Sequence, residues 1–259
     1  MLPGLPLQCL IPRDRFWGLV SLLIAIAAAS AAQTSVLPFL SGLLEAGMSK
    51  VIPNDHGPHL TGLTAITPFT ALLLAPFWGW LADRFDHRHI LVIALFVLAL
   101  ALAPIGRTSL AGLYVLRAIA GIASAAVIPI TILTASMMVV GRIEQARWIT
   151  WLTAFMFMGD FAGPQLAELS ARVWPRSPLL GLAGGIAIAA CLLIFAHLGT
   201  QRISKPDSAA KPALSMTLGL LLITAISGGG LAAIHVSLLI IQDPFPLGRE
   251  AVAGMLSLC

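Results

Sequence analysis

The sequence predicts an all-α integral membrane protein, and three observations support that class. Apolar residues make up 58% of the chain, whereas a soluble domain contains roughly 45–50%, and the mean hydropathy is +0.95. The apolar residues form long runs, and a helix needs about 20 of them in succession to cross a bilayer. Only 10% of the residues are charged. Such a chain cannot bury its apolar surface in one globule, so we expect it to lie in a lipid bilayer.

The apolar runs predict seven spanning helices, which we number one to seven in chain order. They cover residues 16–40, 60–82, 89–106, 109–139, 148–169, 178–199 and 214–241. A further run begins at Ala251 and reaches Cys259, which covers about half of a roughly 30 Å hydrocarbon core. The sequence therefore predicts six complete spans, a seventh, and the incomplete start of an eighth.

The first run has an alternative interpretation. Arg13 and Arg15 precede it, and the segment AAASAAQ (27–33) offers the small residues of a signal-peptide cleavage site. The run continues to Leu40, however, and six further spans follow it. We therefore predict a spanning helix here rather than a cleaved signal.

Lysine and arginine residues predict the orientation of the spans. With the N-terminus inside the cell, nine of them lie on the cytoplasmic side: Arg13, Arg15, Arg84, Arg88, Arg142, Arg147, Arg202, Lys205 and Lys211. Five lie on the outer side: Lys50, Arg107, Arg172, Arg176 and Arg249. Because cytoplasmic loops carry an excess of these residues, we predict a multi-pass protein of the inner (plasma) membrane with a cytoplasmic N-terminus. The same pattern accounts for the net charge of +4 without a nucleic-acid partner.

One polar segment divides the chain. The stretch GTQRISKPDSAAKPALS (199–215) contains two prolines and few apolar residues, which is typical of a linker. We predict an N-terminal bundle of six spans over residues 1–199, a cytoplasmic linker over 200–213, and the start of a C-terminal bundle over 214–259. Six spans, a linker and further spans is the layout of a transporter built from two six-helix halves.

The turn between spans two and three gathers charges into a mostly apolar chain. Residues 79–91 resemble the signature loop of the major facilitator superfamily, G-x-L-A-D-R-x-G-R-K/R-x-x-L/I. The matching residues are Gly79, Leu81, Ala82, Asp83, Arg84, Arg88 and Leu91. The resemblance implies that Asp83 engages a helix end of a second half and locks the two halves together on the cytoplasmic side. Positive-inside anchoring is the alternative, but it would explain only Arg84 and Arg88.

The loop departs from the family pattern at two positions. Asp86 replaces the usual glycine and His87 the usual arginine. Since glycine permits backbone angles that other residues avoid, we expect Asp86 to remove a permissive turn residue.

Two further segments resemble the same family. Span four contains LYVLRAIAGIASAA (113–126), similar to L-x-x-x-R-x-x-Q-G-x-G-A-A, in which Arg117 and Gly121 match and Ala120 replaces glutamine. Span five contains GDFAGPQLAE (159–168), similar to the G-x-x-x-G-P-x-x-G-G of drug–proton antiporters. Its matching residues are Gly159, Gly163 and Pro164. The resemblance implies a six-helix bundle of that superfamily with part of a second bundle. It also implies an antiporter in which a proline bend in span five favours exchange. For the span-five glycines, ordinary small-residue packing between helices is the alternative.

Two charged residues lie deep inside predicted spans. Arg117 and Asp160 are each about nine residues, or roughly 13 Å, from the outer ends of spans four and five. A charge in the membrane is costly and normally faces a partner or a cavity. We expect the two residues to form an ion pair or share a water-filled pocket, with Asp160 titrating during transport. The resemblance implies proton transfer only for Arg117, and a static structural pair is the alternative.

Four other groups are candidates for lesser roles. Gln33 and Thr34 give span one a polar patch for substrate, although polar residues also join helices. His235 in span seven could contact substrate or only pack. Glu144 and Arg147 could form a cytoplasmic charge network with Arg84 and Arg88, or lie on a solvated face.

The expected function is secondary active transport. We predict proton-coupled efflux of a small amphipathic molecule or drug by alternating access, with substrate, protons and lipid as partners. Two alternatives stay open: a truncated remnant without transport activity, and a half-transporter that must dimerise. No nucleophile–base pair, metal-ligand spacing or phosphate loop indicates an enzyme, a metal or a cofactor.

Overall fold

The computed structural model describes residues 13–48, 56–139 and 141–196. They form seven α-helices and one 3-10 turn, at Leu37–Phe39. The helices are α1 (Arg13–Thr34), α2 (Leu40–Met48), α3 (His56–Ala82), α4 (His87–Leu102), α5 (Leu110–Met138), α6 (Arg142–Val173) and α7 (Leu180–Phe195). The all-α class is confirmed, and each of the first six predicted spans corresponds to a helix. The predicted linker, span seven and the start of span eight lie outside the described residues.

The contacts between helices give the topology. α3 and α5 run parallel, since His59 contacts Tyr114 near the start of each helix and Trp78 contacts Ile122 further along both. α4 and α7 run antiparallel, because Arg88 at the start of α4 reaches Leu193 at the end of α7. We call the end of the bundle that holds residues 83–86 the loop end. The end of α5 and the start of α6 lie there as well, because the chain alternates in direction.

α1 is largely buried in the described bundle. It packs against α5, α6 and α7, and most of its described side chains are buried. α3 is much less buried than α1. Large apolar residues such as Phe69, Leu73 and Phe77 are exposed along it. In a membrane protein such an exposed apolar face lies against lipid or against another helix.

Three described segments are long and apolar enough to cross a membrane: Phe16–Leu44, Pro58–Ala82 and Leu110–Met138. The helices α4 and α7 are apolar but have 16 residues each, or about 24 Å. α6 is long, with 32 residues, but more polar. Span one is also less regular than expected, because Pro38 lies in the 3-10 turn that separates α1 from α2.

Candidate functional site

The charged turn between α3 and α4 is short and closely hydrogen-bonded. The backbone N–H groups of Asp83 and Phe85 donate to the carbonyls of Gly79 and Leu81, at 3.2 and 3.0 Å. The side chains of Asp83, Arg84 and Phe85 are exposed. The exposed carboxylate of Asp83 is therefore available to a partner outside the described bundle.

Asp86 corrects one expectation from the sequence. Its φ is −65°, which any residue adopts, so the turn does not need the permissive glycine of the family pattern. Its carboxylate instead accepts a hydrogen bond from the Arg88 backbone N–H at 3.1 Å, which makes it the N-cap of α4. Asp86 also lies 3.4 Å from the ring of His89. The substitution supplies a cap where we had expected a lost turn residue.

The two arginines of the turn have different surroundings. The Arg84 guanidinium stacks over the Trp80 ring, 4.1 Å from its centroid. Arg88 donates from Nε to the Leu193 carbonyl at 3.1 Å, in the last turn of α7. Because the last carbonyls of a helix lack helical partners, this bond caps α7. Gly79, by contrast, has open space where a side chain would be.

The expected charge network takes another form. Arg147 Nη1 lies 3.0 Å from Glu144 Oε1, so these residues pair with each other along α6. In the part of the chain that the structure describes, neither residue forms an ion pair or a side-chain hydrogen bond with Arg84 or Arg88. The reason is their spacing: residues three apart on a helix face each other directly.

Arg117 lies between α3 and α5 and is 3% exposed. Its Nε donates to the Leu63 carbonyl at 3.3 Å, and its own carbonyl accepts from the Thr67 hydroxyl at 3.3 Å. Gly121, one turn further on, has no room for a side chain because Thr67 and Thr70 fill the space. Arg117 thus joins α3 and α5 through two hydrogen bonds, each from a side chain on one helix to a backbone carbonyl on the other.

Asp160 is partly buried on α6. Among the described residues no ion pair connects it to Arg117, so the expected direct pair is absent from this conformation. Arg117 is turned towards α3, whereas this part of α6 packs on α1. The sequence indicated similar depths for Arg117 and Asp160. It did not show how α5 and α6 are rotated, and that rotation turns Arg117 towards α3.

The two glycines of the α6 motif lie directly against α1. A Cβ at Gly159 would meet backbone atoms of Ala27, and a Cβ at Gly163 would meet Ala31 and the Thr34 hydroxyl. α6 continues as one helix through Pro164. The glycines therefore allow two helices to approach to backbone distance beside a proline.

The substrate candidates are distributed unevenly. Gln33 is partly exposed. Thr34 faces α6 and donates to the Asp160 carbonyl at 3.1 Å, so its hydroxyl bonds to protein. His235 lies outside the described residues.

Sequence reasoning missed two contacts that join α3 to α5. The Tyr114 hydroxyl donates to the His59 carbonyl at 3.2 Å, and Trp78 Nε1 donates to the Ile122 carbonyl at 2.8 Å. Tyr114 is the one tyrosine in the sequence, but nothing in its neighbours predicts a partner 55 residues earlier.

Comparison with known proteins decides the family. The family model of the Major Facilitator Superfamily matches residues 22–259. The chain belongs to the major facilitator superfamily. This membership confirms the superfamily that the sequence resembles, and with the apolar helices it indicates a multi-pass membrane protein.

Two relatives in the superfamily are similar to part of the chain. The class B tetracycline resistance protein of Escherichia coli is 27% identical over 146 residues, which cover 55% of this chain and 35% of that protein. The uncharacterized MFS-type transporter YuxJ of Bacillus subtilis (strain 168) is 30% identical over 147 residues, or 52% of this chain and 37% of that one. The matched region is thus about a third of the length of either relative.

A solved structure of the superfamily shares the fold. It is a mutant of the peptide transporter POT in complex with sulfate, with a TM-score of 0.59 and 16% identity. The match covers 91% of this chain and 48% of that transporter. This chain therefore spans about half of a complete major facilitator fold.

Proposed function

We propose that this major facilitator chain takes part in the proton-coupled efflux of a small amphipathic molecule by alternating access. The observation that carries the proposal is the contact between α1 and α6. There Gly159 and Gly163 lie against the α1 backbone, Pro164 follows, and Asp160 lies within the same turn. A carboxylate beside a proline in a tight helix pair can couple its protonation to the packing of the two helices.

The placement of charge supports proton exchange at Asp160. Ionisable residues inside a membrane are rare and normally serve an ion or substrate pathway. Asp160 is partly buried and makes no ion pair with Arg117 in the described structure. Arg117 has its guanidinium anchored on the Leu63 carbonyl, so it contributes a fixed positive charge to the bundle. Asp160 is then the group that gains and loses the proton.

The turn between α3 and α4 is proposed as the cytoplasmic gate. Asp83 is exposed at the loop end of the described bundle, as a contact with a second half requires. Arg88 fixes the same turn to the end of α7 through the Leu193 carbonyl. With the N-terminus in the cytoplasm, this gate lies on the inner face of the plasma membrane.

The relatives suggest the first compound to test. One of them is named as a tetracycline resistance protein, and tetracycline is a small amphipathic molecule. We therefore propose tetracycline as the probe in inside-out membrane vesicles that contain the expressed chain. The internal pH is followed with a fluorescent dye while tetracycline is added.

The test compares three carboxylate variants. In the native chain, tetracycline should release protons from the vesicle interior; Asp160→Asn should abolish this release and Asp160→Glu should keep part of it. Glu144→Gln is the matched control, since it removes a carboxylate of the same helix that pairs with Arg147 and lies outside the gate turn, and it should exchange protons normally. Normal proton release by Asp160→Asn would refute coupling at Asp160. A native chain that releases no protons would refute tetracycline–proton exchange.

A further inference from the structure

The proline in α6 removes one backbone donor at a defined place. In an α-helix each N–H donates to the carbonyl four residues earlier, and proline has no N–H. Pro164 therefore leaves the Asp160 carbonyl without its usual partner. α6 nevertheless continues through this point, from Arg142 to Val173. Because a backbone carbonyl inside a membrane is costly to leave unpaired, another donor is required.

α1 supplies that donor. The Thr34 hydroxyl lies 3.1 Å from the Asp160 carbonyl oxygen, and 3.4 Å from the carbonyls of Ser30 and Ala31 in its own helix. The Ala31 carbonyl already accepts the Ser35 N–H at 3.0 Å. The Asp160 carbonyl is both the nearest acceptor and the one whose helical donor is missing.

Gly163 makes the approach possible. A Cβ on Gly163 would meet the Thr34 hydroxyl oxygen and the Ala31 carbonyl oxygen. Any side chain there would push the hydroxyl away from Asp160. The glycine and the proline therefore have complementary effects: Gly163 provides space for the hydroxyl, and Pro164 frees the carbonyl that it binds.

We propose that Thr34 is a positioning residue for α6 at Pro164, with its hydroxyl replacing the backbone donor that Pro164 lacks. The bond holds the backbone of Asp160 against α1 and so fixes the point from which the carboxylate extends. This assigns Thr34 to the helix contact and leaves Gln33 as the substrate candidate of the pair. The inference rests on the proposed function only in making Asp160 the proton-exchanging group.

The first test is a double-mutant cycle. The purified chain is unfolded reversibly in mixed detergent micelles, with Thr34→Val and Pro164→Ala made singly and together. Interhelical hydrogen bonds in membrane proteins average about 0.6 kcal/mol, which is roughly a threefold change in the folding equilibrium. Thr34→Val should cause that loss when Pro164 is present. It should cause little loss in Pro164→Ala, where residue 164 again donates to Asp160.

Two variants control the cycle. Thr34→Ser keeps the hydroxyl and should behave as the native chain. Thr64→Val removes a buried hydroxyl that donates to the Leu60 carbonyl in its own helix, at 2.9 Å, and its effect should not depend on Pro164. An equal loss from Thr34→Val with and without Pro164, or no loss at all, overturns the proposal.

A spectroscopic test does not depend on stability. Asp160–Phe161 is the one Asp–Phe pair in the sequence, so ¹³C-carbonyl aspartate with ¹⁵N phenylalanine selects the Asp160 carbonyl in solid-state NMR. Its ¹³C resonance should move in Thr34→Val and stay in place in Thr34→Ser. An unmoved resonance in Thr34→Val refutes the bond. That result would leave proton exchange intact, whereas normal exchange by Asp160→Asn would refute only the proposed function.

Discussion

Replacing Gly159 with alanine tests the tight contact between α1 and α6. A Cβ at this position would lie 2.9 Å from both the carbonyl carbon and the Cα of Ala27. Since ordinary carbon–carbon contacts are about 3.5–4.0 Å, these two contacts alone would require the helices to separate by roughly 0.6–1.1 Å, and the Ala27 carbonyl oxygen lies closer still to the added Cβ. Such overpacking of a close-packed interior typically costs about 1–3 kcal/mol.

A second glycine separates this cost from the intrinsic effect of alanine. Gly184 lies within α7 and has nothing within 4 Å of where its Cβ would be. Alanine is favoured over glycine in a helix by about 0.8–1.0 kcal/mol, and this gain applies to both positions. It cancels when Gly159→Ala is compared with Gly184→Ala, which leaves the packing cost alone.

The measurement is the free energy of unfolding of both variants and the native chain in mixed micelles. Gly184→Ala should be slightly more stable than the native chain, and Gly159→Ala should be about 1–3 kcal/mol less stable than Gly184→Ala. If the two alanine variants have equal stability, the backbone contact between α1 and α6 does not exist as described.

Three further predictions concern single hydrogen bonds. Asp86→Ala should lose the N-cap of α4, worth about 1 kcal/mol, and speed amide exchange in the first turn of α4 about fivefold, while Asp86→Asn should not. Arg88→Gln should remove the cap of α7 at Leu193 and speed amide exchange in the last turn of α7 by about two- to fivefold, as expected for loss of a cation at a helix C-terminus. Unchanged exchange would mean that the bond does not stabilise α7. Trp78→Phe keeps an aromatic ring but removes the donor to Ile122, so unfolding in mixed micelles should become easier by about 0.6 kcal/mol and at most ~1.7. A phenylalanine variant as stable as the native chain would contradict that bond.

The helices and the charged turn could be predicted because their signals are local. Apolar runs located the helices that correspond to the first six predicted spans, and the charges of residues 79–91 located the turn between α3 and α4. The cap at Asp86 was also within reach, since an aspartate directly before an apolar helix is a typical N-cap. The family pattern, which has glycine at that position, does not indicate this cap.

The contacts between helices could not be predicted in the same way. Thr34, Trp78 and Arg88 each donate to a backbone carbonyl on another helix, 126, 44 and 105 residues away. Because every residue has a backbone carbonyl, the sequence does not show which carbonyl accepts the bond. Which carbonyl is reached depends on the rotation and crossing of the two helices. The same unknown rotation explains why depth alone suggested a pair between Arg117 and Asp160.

The contact between α1 and α6 has a consequence for the synthesis of the protein. Its partner on α6 is made much later, because 126 residues separate Thr34 from Asp160. At about 5–20 residues per second, a ribosome needs roughly 6–25 s to reach Asp160 after Thr34. During that interval the face of α1 that later meets the glycines lacks its partner on α6. Assembly of the bundle must therefore wait for α6, and any event that delays translation between the two helices prolongs the exposure of α1.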